Sequence, residues 1–498
     1  MILMVSILVG WTVCGCSKDD STPTDGGITA SDNVLYENGT VIGNGEQEFV
    51  FTGSQTLKKG IYHLKGWVYV RDGAQLTIEP GTIIKGDKET KAALIVERGG
   101  KLIAKGTATE PIVFTSEKAA GSRRPGDWGG LILCGRAKNN QGNDMQIEGG
   151  PRSHHGGSND ADNSGVLSYV RVEFAGFPFE KDKEINGITF GSVGSGTQVD
   201  HLQVSYSNDD SYEWFGGAVN CKYLVAFNGW DDEFDTDNGF SGKVQFCLSV
   251  RDPRIADISQ SNGFESDNCA DGATVDPFTT ATFSNVTFIG PRNRDGFENK
   301  SSYINGGAVN PANGSALGLF QAAMQIRRSS HLSCFNSVAV GYPVGLILDG
   351  EKGNTVATAK ANQLKLQNIY FAGMGVIGSD ANKSYGDTLI TYTNGKPVGD
   401  PSQLSYSHTF FMAQTGNQAF DDVTSLKLTD GTTNRVGVDY LPKADSPLLN
   451  KTSLFTDANL SSGFDKVSYI GAFSGEADNW QNGWTNFDPQ NADYSAVK

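Results

Sequence analysis

The residues of this chain that could do chemistry are acids, and they recur in one four-residue phrase. Each copy is an Asp or Asn, a free position, an aromatic residue and an acid. The copies are Asp210-Ser-Tyr212-Glu213, Asp232-Glu-Phe234-Asp235, Asn262-Gly-Phe264-Glu265 and Asp295-Gly-Phe297-Glu298. Successive final acids lie 22, 30 and 33 residues apart, the length of one solenoid turn with loop insertions. Because neighbouring strands lie about 4.8 Å apart, the phrase predicts aromatic residues stacked inside and a column of carboxylates outside.

Two copies continue with a second acid, which predicts two acidic columns. Strand alternation in Asp235-Thr-Asp237 and Glu265-Ser-Asp267 places both acids of each copy outward. Like charges on adjacent strands would repel by roughly 3 kcal/mol per pair at an effective dielectric constant of about 20. A cation, an arginine or a bound proton must offset this repulsion.

Three explanations of the columns involve no catalysis. In the first, a hard cation such as Ca²⁺ binds the clustered oxygens; its candidate ligands are Asp235, Asp237, Glu265, Asp267 and Asn268. In the second, loop arginines form salt bridges with the acids; these are Arg251, Arg254, Arg292 and Arg294. In the third, the acids only cap turns and keep the surface soluble.

Aromatic residues accompany the acids, as a sugar-binding surface requires. Exposed rings stack on sugar faces while carboxylates accept hydroxyl hydrogens. The candidate ligand-binding residues are Asp209, Asp210, Trp230, Asp231 and Asp232, and Trp214 and Phe215 lie close by in the sequence. Core or corner packing is the alternative for these rings. The pair His154-His155 lies in a Gly-, Ser- and Asn-rich loop, and without a third ligand at fixed spacing we interpret it as a solvated loop.

The elements that must position these residues are short, repeated strands. The pattern of the segment Asp72-Gly-Ala-Gln-Leu76-Thr-Ile78 is repeated in Arg98-Gly-Gly-Lys-Leu102-Ile-Ala104. Leu76 lies 26 residues before Leu102. Same-direction repeats bounded by Gly or Pro, with no sustained helical period, predict an all-β chain folded as a right-handed parallel β-helix. We assign residues 46–384 to this solenoid. Non-repeating inserts at 136–163, 252–261, 306–319 and 349–361 are expected to form edge loops.

The C-terminal part, residues 385–498, is expected to hold the final turns and a cap. There the repeat weakens, and Tyr469 to Phe473, together with Trp480 and Trp484, is predicted to cover the open end of the solenoid. An uncovered terminal turn would expose unpaired strand edges.

Several segments resemble a known family. They are 159–165 (NDADNSG), 170–174 (VRVEF), 184–190 (EINGITF), 204–210 (VSYSNDD) and 235–239 (DTDNG). Together they are similar to β-helix lipoproteins and secreted proteins of Bacteroidetes and marine bacteria, and the resemblance covers nearly the whole mature chain. It implies a fold and a location, but no activity.

Catalysis is a further explanation of the acids, because known β-helix enzymes use such groups. If the protein is an enzyme, the candidate catalytic residues are Glu213, Asp235, Glu265, Glu298, Arg251 and Arg254. Acids one or two turns apart match the carboxylate separations of retaining and inverting glycosidases. The segment Arg251-Asp-Pro-Arg254 is loosely similar to the arginine motif of pectate-lyase-like enzymes. Asp231-Asp232 and Asp235-Thr-Asp237 are similar to polygalacturonase motifs, but the Gly-His-Gly and Arg-Ile-Lys of those hydrolases are missing.

The first residues predict export and a lipid anchor. Residues 1–15 are an apolar run that resembles a lipoprotein signal peptide, with Cys16 as the lipid-bearing residue. Residues 16–45 form an acidic, polar tether, and its start, Ser17-Lys18-Asp19-Asp20, resembles the export signal of surface lipoproteins in Bacteroidetes. The expected location is the outer membrane, on the cell surface.

The composition limits the kinds of partner that the protein is expected to bind. The formal net charge is −16, which disfavours nucleic acid. Besides Cys14 and Cys16 there are five cysteines without CxxC spacing, expected as small buried residues, with Cys221 and Cys247 as one chance pair; the five are Cys134, Cys221, Cys247, Cys269 and Cys334.

The sequence thus favours a cell-surface lipoprotein that binds glycans or another envelope component through an acidic, cation-binding wall. One alternative is a polysaccharide lyase or glycoside hydrolase of the β-helix type. Another is a structural or partner protein of an outer-membrane receptor complex.

Overall fold

Parallel strand pairing, in register from turn to turn, builds the protein. The structure is a computed structural model that describes residues 28–29, 34–180, 183–257, 259–295, 297, 319–382, 385–429 and 440–497. Glu298, Cys14, Cys16 and most of the proposed tether lie outside these residues.

The described residues contain 36 strands, two α-helices and three 3₁₀-helices. The strands of the first half are β1 (Ile28–Thr29), β2 (Leu35–Tyr36), β3 (Val41–Ile42), β4 (Phe49–Phe51), β5 (Ser54–Leu57), β6 (Ile61–Leu64), β7 (Trp67–Val70), β8 (Gln75–Ile78), β9 (Ile83–Gly86), β10 (Ala93–Val96), β11 (Lys101–Lys105), β12 (Ile112–Ser116), β13 (Leu131–Cys134), β14 (Met145–Gln146), β15 (His154–His155), β16 (Gly165–Glu173), β17 (Pro178–Glu180), β18 (Lys183–Glu184), β19 (Ile188–Gly191) and β20 (Gln198–Ser205). Those of the second half are β21 (Tyr212–Phe215), β22 (Asn220–Phe227), β23 (Phe234–Asp237), β24 (Lys243–Val250), β25 (Phe264–Ser266), β26 (Thr282–Ile289), β27 (Ala322–Ile326), β28 (Ser333–Phe335), β29 (Val338–Val340), β30 (Val344–Leu348), β31 (Leu366–Gln367), β32 (Tyr370–Ala372), β33 (Val376–Ser379), β34 (Leu389–Thr393), β35 (Lys396–Asp400) and β36 (Gln418–Phe420). The helices are α1 (Thr355–Lys360) and α2 (Tyr406–Ala413), and the 3₁₀-helices are Val423–Leu426, Ala458–Leu460 and Glu476–Asp478.

Two long sheets form the walls of a right-handed parallel β-helix, which confirms the predicted fold class. The first sheet has 12 strands, in the order β1-β4-β7-β10-β13-β19-β21-β23-β25-β27-β30-β33. The second has 18 strands and forms two faces. In the early turns these faces are separate strands, such as β8 and β9, whereas β16, β20, β22, β24 and β26 each run along both.

A column of left-handed residues bends these long strands between the two faces. Tyr169, His201, Tyr223 and Phe246 have φ between 51° and 60°, a conformation that costs free energy for residues with a side chain. Their rings stack in sequence, with centroids 4.2, 4.4 and 5.1 Å apart. The stacking offsets the backbone strain and repeats the bend in each turn.

The aromatic residues of the first three copies of the phrase point into the interior, as predicted, whereas Phe297 of the fourth is partly buried against Ala256 and Phe320 outside the main core. Tyr212, Phe234 and Phe264 are all 0% exposed. The Tyr212 and Phe234 rings stack at 5.7 Å, and those of Phe234 and Phe264 lie 6.1 Å apart. The phrase therefore marks successive strands of the first sheet.

The C-terminal part differs from the expected cap. Helix α2 packs on the last strands of the first sheet, and Phe411 stacks on the interior residue Phe371 at 4.1 Å. Residues 440–497, named here the C-terminal strap, instead run back along the flank of the second sheet. Trp484 contacts the rings of Tyr169 and His201 at 5.8 and 5.7 Å, and Trp480 lies 5.4 Å from the Tyr223 ring.

The five cysteines of the described residues carry free thiols. All five are buried and unpaired, Cys221 and Cys247 included. Among the described residues, the helices are too short or too polar to cross a bilayer.

We predict that Trp484→Ala detaches the strap, because the indole is fully buried against the bend column. Loss of a buried Trp should lower the free energy of unfolding by about 3–5 kcal/mol. Limited proteolysis should then cleave residues 440–497 faster than in the wild type. The matched change Leu404→Ala, at a side chain 52% exposed, should alter neither value; equal cleavage of the two variants would contradict the assigned role of Trp484.

Candidate functional site

The first residues of the first three copies of the phrase build a ladder along the first sheet. The Asp210 carboxylate accepts the backbone N–H of Asp232 at 2.8 Å, and Asp232 in turn accepts that of Asn262 at 2.5 Å. The Asn262 side chain accepts the N–H of Ala322 at 2.9 Å. Asp232, predicted to bind a ligand, is thus a buried turn-capping residue, as the third explanation of the acids proposed.

The last residues of the phrase form the expected outward column, but over three turns. Glu213 pairs in register with Asp235, and Asp235 with Glu265. The residue that pairs with Glu265 on the next strand is Gln325 in β27. The fourth copy of the phrase does not supply that strand, because it lies before β27 in the sequence. Glu298, its final acid, lies outside the described residues.

Two arginines that the sequence analysis missed neutralise the third turn. Arg327 forms ion pairs with Glu265 and, at 2.9 Å, with Asp267, while Arg328 binds Asp267 at 2.5 Å. Their only sequence signal is that they directly follow Ile326, the last residue of the next strand in the column. The salt-bridge explanation therefore holds for the third turn, but the arginines are Arg327 and Arg328 and not those named from the sequence.

The loop arginines named from the sequence bind elsewhere. Arg251 pairs with Glu233 at 2.7 Å, and both side chains are 0% exposed. Arg254 pairs with Asp252 at 3.0 Å. The predicted catalytic role of Arg251 is therefore wrong, because a fully enclosed guanidinium cannot touch a substrate. The remaining two donate to main-chain carbonyl oxygens: Arg292 to that of Gly373 and Arg294 to that of Arg251.

The buried Arg251 positions an acidic corner instead. Its guanidinium donates to the carbonyl oxygens of Asp231 at 2.5 Å and Trp230 at 3.3 Å. Trp230 is 2% exposed, so its predicted role as a sugar-stacking ring is wrong. Trp214 and Phe215, at 0% and 8%, are packing residues as well.

The first and second turns carry carboxylates that the arginines leave unneutralised. Ligand oxygens of Asp210, Glu213 and Asp235 lie within 4.8 Å of one another, and so do those of Asp209, Asp210 and Asp231. Asn186 donates to Glu213, and Ser259 donates to Asp231 at 2.5 Å. Oδ1 of Asp235 and Oδ1 of Asp231 are buried without a hydrogen-bond partner. We call the five acids Asp209, Asp210, Glu213, Asp231 and Asp235 the acidic cluster.

Burial and mutual repulsion shift the pKa values of the cluster. Burial, reinforced by neighbouring carboxylates, raises the pKa values of Asp210, Glu213 and Asp235 well above their usual range. Burial raises the pKa of Asp231 likewise, with Asp257 as the next cause. The pKa of Asp237, on the same strand as Asp235, is raised to about 7, first by burial and then by Asp267.

An insert covers one side of the cluster. The segment 136–163, predicted as an edge loop, contains the β14–β15 hairpin, which packs against Ile132 and Phe215 of the first sheet. Charge on Glu148, between these strands, contributes to the raised pKa of Glu213. His155 is buried, 3% exposed, and bonds Ser192 at 2.8 Å; it is thus not the solvated loop residue expected.

The residues present fit a hard cation better at the first two turns than at the predicted place. Of the predicted ligands, Asp235 joins a group of convergent carboxylates, whereas Glu265 and Asp267 are bound by arginine. Asn268 donates to the carbonyl oxygens of Ala273 and Val275 and so holds a loop. Converging, partly unsatisfied carboxylate oxygens are the donors such ions prefer. The acidic cluster could therefore hold a metal ion.

Comparison with known proteins agrees with the fold. The sequence model of a family described as a pectate-lyase like beta helix domain matches residues 50–398. The chain belongs to this family. In this pectate-lyase-like β-helix, the acidic cluster and Arg327 both lie inside the matched region. No curated protein matches the chain.

Two solved structures are distantly similar to this pectate-lyase-like protein. One is a PL6 alginate lyase in complex with a trisaccharide, at 10% identity and a TM-score of 0.23, with 77% of this chain and 91% of that chain covered. The other is the alginate lyase AlyF-OU02 with G6, at 10% identity and a TM-score of 0.27, with 80% and 95% covered. Similarity at this level says nothing about the reaction of this chain.

We predict that the protein without added cations loses stability as the pH rises from about 6.5 to 8.5. Carboxyls with raised pKa values, such as Asp237 at about 7, stay protonated in the folded state after the unfolded chain has ionised. Their stabilising contribution is complete below the unfolded pKa and is lost as pH rises through the folded pKa. Buried His155, with a pKa lowered to about 4, acts in the opposite direction only below its ordinary value of 6.5.

Thermal unfolding at each pH in chelator measures this effect. The melting temperature should fall by about 2–4 °C over the window, and Asp237→Asn should flatten the slope. Asp400→Asn, at an exposed carboxylate whose pKa is lowered by Ser402, should leave the slope unchanged. A flat wild-type profile would exclude raised carboxyl pKa values in the cluster.

Proposed function

We propose that this protein is a polysaccharide lyase that acts on chains containing uronic acids. The observation that carries the proposal is the convergence of Asp210, Glu213 and Asp235, with one buried Asp235 oxygen left without a partner. These residues lie on the outer face of a β-helix whose family is described as pectate-lyase like. The likeness to pectate lyases suggests a substrate that contains uronic acid and is cleaved by elimination.

A uronate can reach this cluster only if its own negative charge is compensated. We propose Asp210, Glu213 and Asp235 as the ligands of a divalent cation, Ca²⁺ by the all-oxygen donor set. When bound, the ion would neutralise both the cluster and the substrate carboxylate and thereby acidify the proton on the adjacent sugar carbon. Metal binding also requires ionised carboxylates, so it should strengthen as pH rises.

Asp237 is our candidate for proton transfer. Its pKa of about 7 suits a group that must accept and release a proton near neutral pH. It points outward from β23 two residues after Asp235, about 7 Å away along the strand. In the elimination, the carboxylate of Asp237 takes the proton next to the uronate carboxyl, and the electron pair forms the carbon–carbon double bond. The glycosidic oxygen leaves with a proton from water, and Asp237 afterwards releases its own proton to water.

Arg327 has a different task in this scheme. Its ion pairs with Glu265 and Asp267 raise its pKa against the effect of burial, so it stays charged and does not serve as a base. We propose that it orients Glu265 and Asp267 and supplies positive charge at the third turn, at one end of the site. The enzyme alternative drawn from the sequence is thereby favoured over simple glycan binding, with Asp237 in place of Arg251.

We predict that purified protein with Ca²⁺ releases unsaturated uronate ends from polygalacturonate or alginate, and that chelator abolishes release. Ultraviolet absorbance of the new double bond measures the reaction. Asp235→Asn should lower kcat/KM by about 100-fold or more, since it removes a cation ligand. Asp237→Asn should remove the proton acceptor and lower kcat by a similar factor.

Asp400→Asn, on the exposed β34–β35 hairpin, is the control and should keep full activity. Polyuronate that binds in a Ca²⁺-dependent way without any double bond formed would instead favour the glycan-binding module. If the protein neither binds nor cleaves any polyuronate, both the lyase and the glycan-binding module are refuted.

We further propose that the enzyme is anchored to the outer membrane through Cys16 and faces outward. The lipobox-like leader and the acidic tether support this location. Cys16→Ser should abolish incorporation of labelled fatty acid and move the protein to the soluble fraction. Cys14→Ser, two residues earlier, is the matched control and should leave the label in place. Labelling of the Cys16→Ser protein would contradict the anchor.

A further inference from the structure

A concave surface lies on the first sheet, towards the N terminus from the acidic cluster. It has a volume of about 740 Å³. Residues from three successive turns and from the β14–β15 hairpin line it, and they include charges of both signs, with Glu97 among the acids. We name it the arginine groove, after Arg98, Arg136 and Arg152, which line it together with Asp72, Asp144 and His154.

The fold holds the three guanidiniums at this place. Arg98 follows β10 and Arg136 follows β13, so they occupy the same corner on adjacent turns. Arg98 donates to the carbonyl oxygen of Asn143 at 2.9 Å. Arg152 lies over the Tyr69 ring at 4.3 Å and bonds Glu97 at 2.6 Å.

The acids that face Arg98 and Arg136 are poorly held. Asp144 binds Arg98 at 2.6 Å and Asp72 binds Arg136 at 2.7 Å, yet these carboxylates are 66% and 68% exposed. Exposed ion pairs contribute little, typically about 0–1 kcal/mol. A carboxylate on a ligand could therefore replace either acid at small cost, and Asp72 and Asp144 stand where such groups would bind.

The groove and the acidic cluster are joined by one hairpin. His154 lines the groove, while its neighbour His155 packs against Phe215, 6.4 Å between ring centroids, on the strand that carries Glu213. Along the first sheet, β13 at the groove and β23 at the cluster are three strand spacings apart, about 14 Å. A polysaccharide of a few sugar residues could span both.

We propose that the arginine groove is a subsite for anionic polysaccharide, in which Arg98 and Arg136 bind carboxylates of the chain beyond the reacting sugar. The proposal rests on the proposed function for the chemistry of the ligand. It does not require that the chain be cleaved.

Affinity gel electrophoresis with polygalacturonate or alginate in the gel tests the groove directly. Chelator in the gel removes cation-mediated binding at the acidic cluster, so retardation reports on the groove. The wild type and Asp235→Asn should be retarded alike. The double variant Arg98→Ala/Arg136→Ala should bind at least about 10-fold more weakly, and Arg98→Lys/Arg136→Lys should recover part of the loss.

Arg124→Ala, at a half-buried arginine that bonds the carbonyl oxygen of Gly121, is the control for charge alone and should behave as wild type. Circular dichroism and thermal melting check that the double variants fold. Equal retardation of wild type and Arg98→Ala/Arg136→Ala would overturn the proposal, as would the lack of wild-type retardation by either polyuronate or equal retardation by a neutral polysaccharide. Loss of binding in the double variant, with no unsaturated product from the wild type, would keep the groove and refute the lyase.

Discussion

In-register parallel stacking is the constraint on which the rest of this structure depends. It places equivalent residues of successive turns one strand spacing apart, so any repeated residue type becomes a column. The four-residue phrase creates three columns with different energetic signs. The aromatic column and the Asp/Asn ladder are favourable, since rings stack and each ladder side chain accepts the next backbone N–H. The acid column is unfavourable and must be compensated.

Each turn compensates its acid differently, and that difference localises the site. Glu213 accepts a hydrogen bond from Asn186, and Glu265 is paired with Arg327. Asp235 lies between them with one oxygen that no group of the described residues satisfies. Beneath this position, the enclosed Glu233–Arg251 pair fixes the corner that presents Asp231. The candidate metal-binding position is thus the turn at which the scaffold leaves a carboxylate oxygen without a partner.

Periodicity determines what the sequence could predict. The phrase identified the fold, the inward aromatics and the first three acids, because each of these repeats. It could not show Arg327 and Arg328, which occur once and act across one strand spacing. Nor could it place Trp230, since alternation between inside and outside fails at a corner. The strap was misassigned for the same reason, because residues 440–497 carry no repeat that would tell a flank from an end.

The contrast between Arg327 and the acidic cluster explains why a cation, and not a further arginine, suits Asp235. A guanidinium neutralises the third turn, but its side chain fills the space above Glu265 and Asp267, which are only 14% and 5% exposed. A hard cation neutralises several oxygens from one point and keeps coordination positions for a ligand. A turn built to be closed would repeat the arginine. The proposed lyase instead needs an open turn, in which an exchangeable ion would balance the charge of the acids and leave room for an anionic substrate.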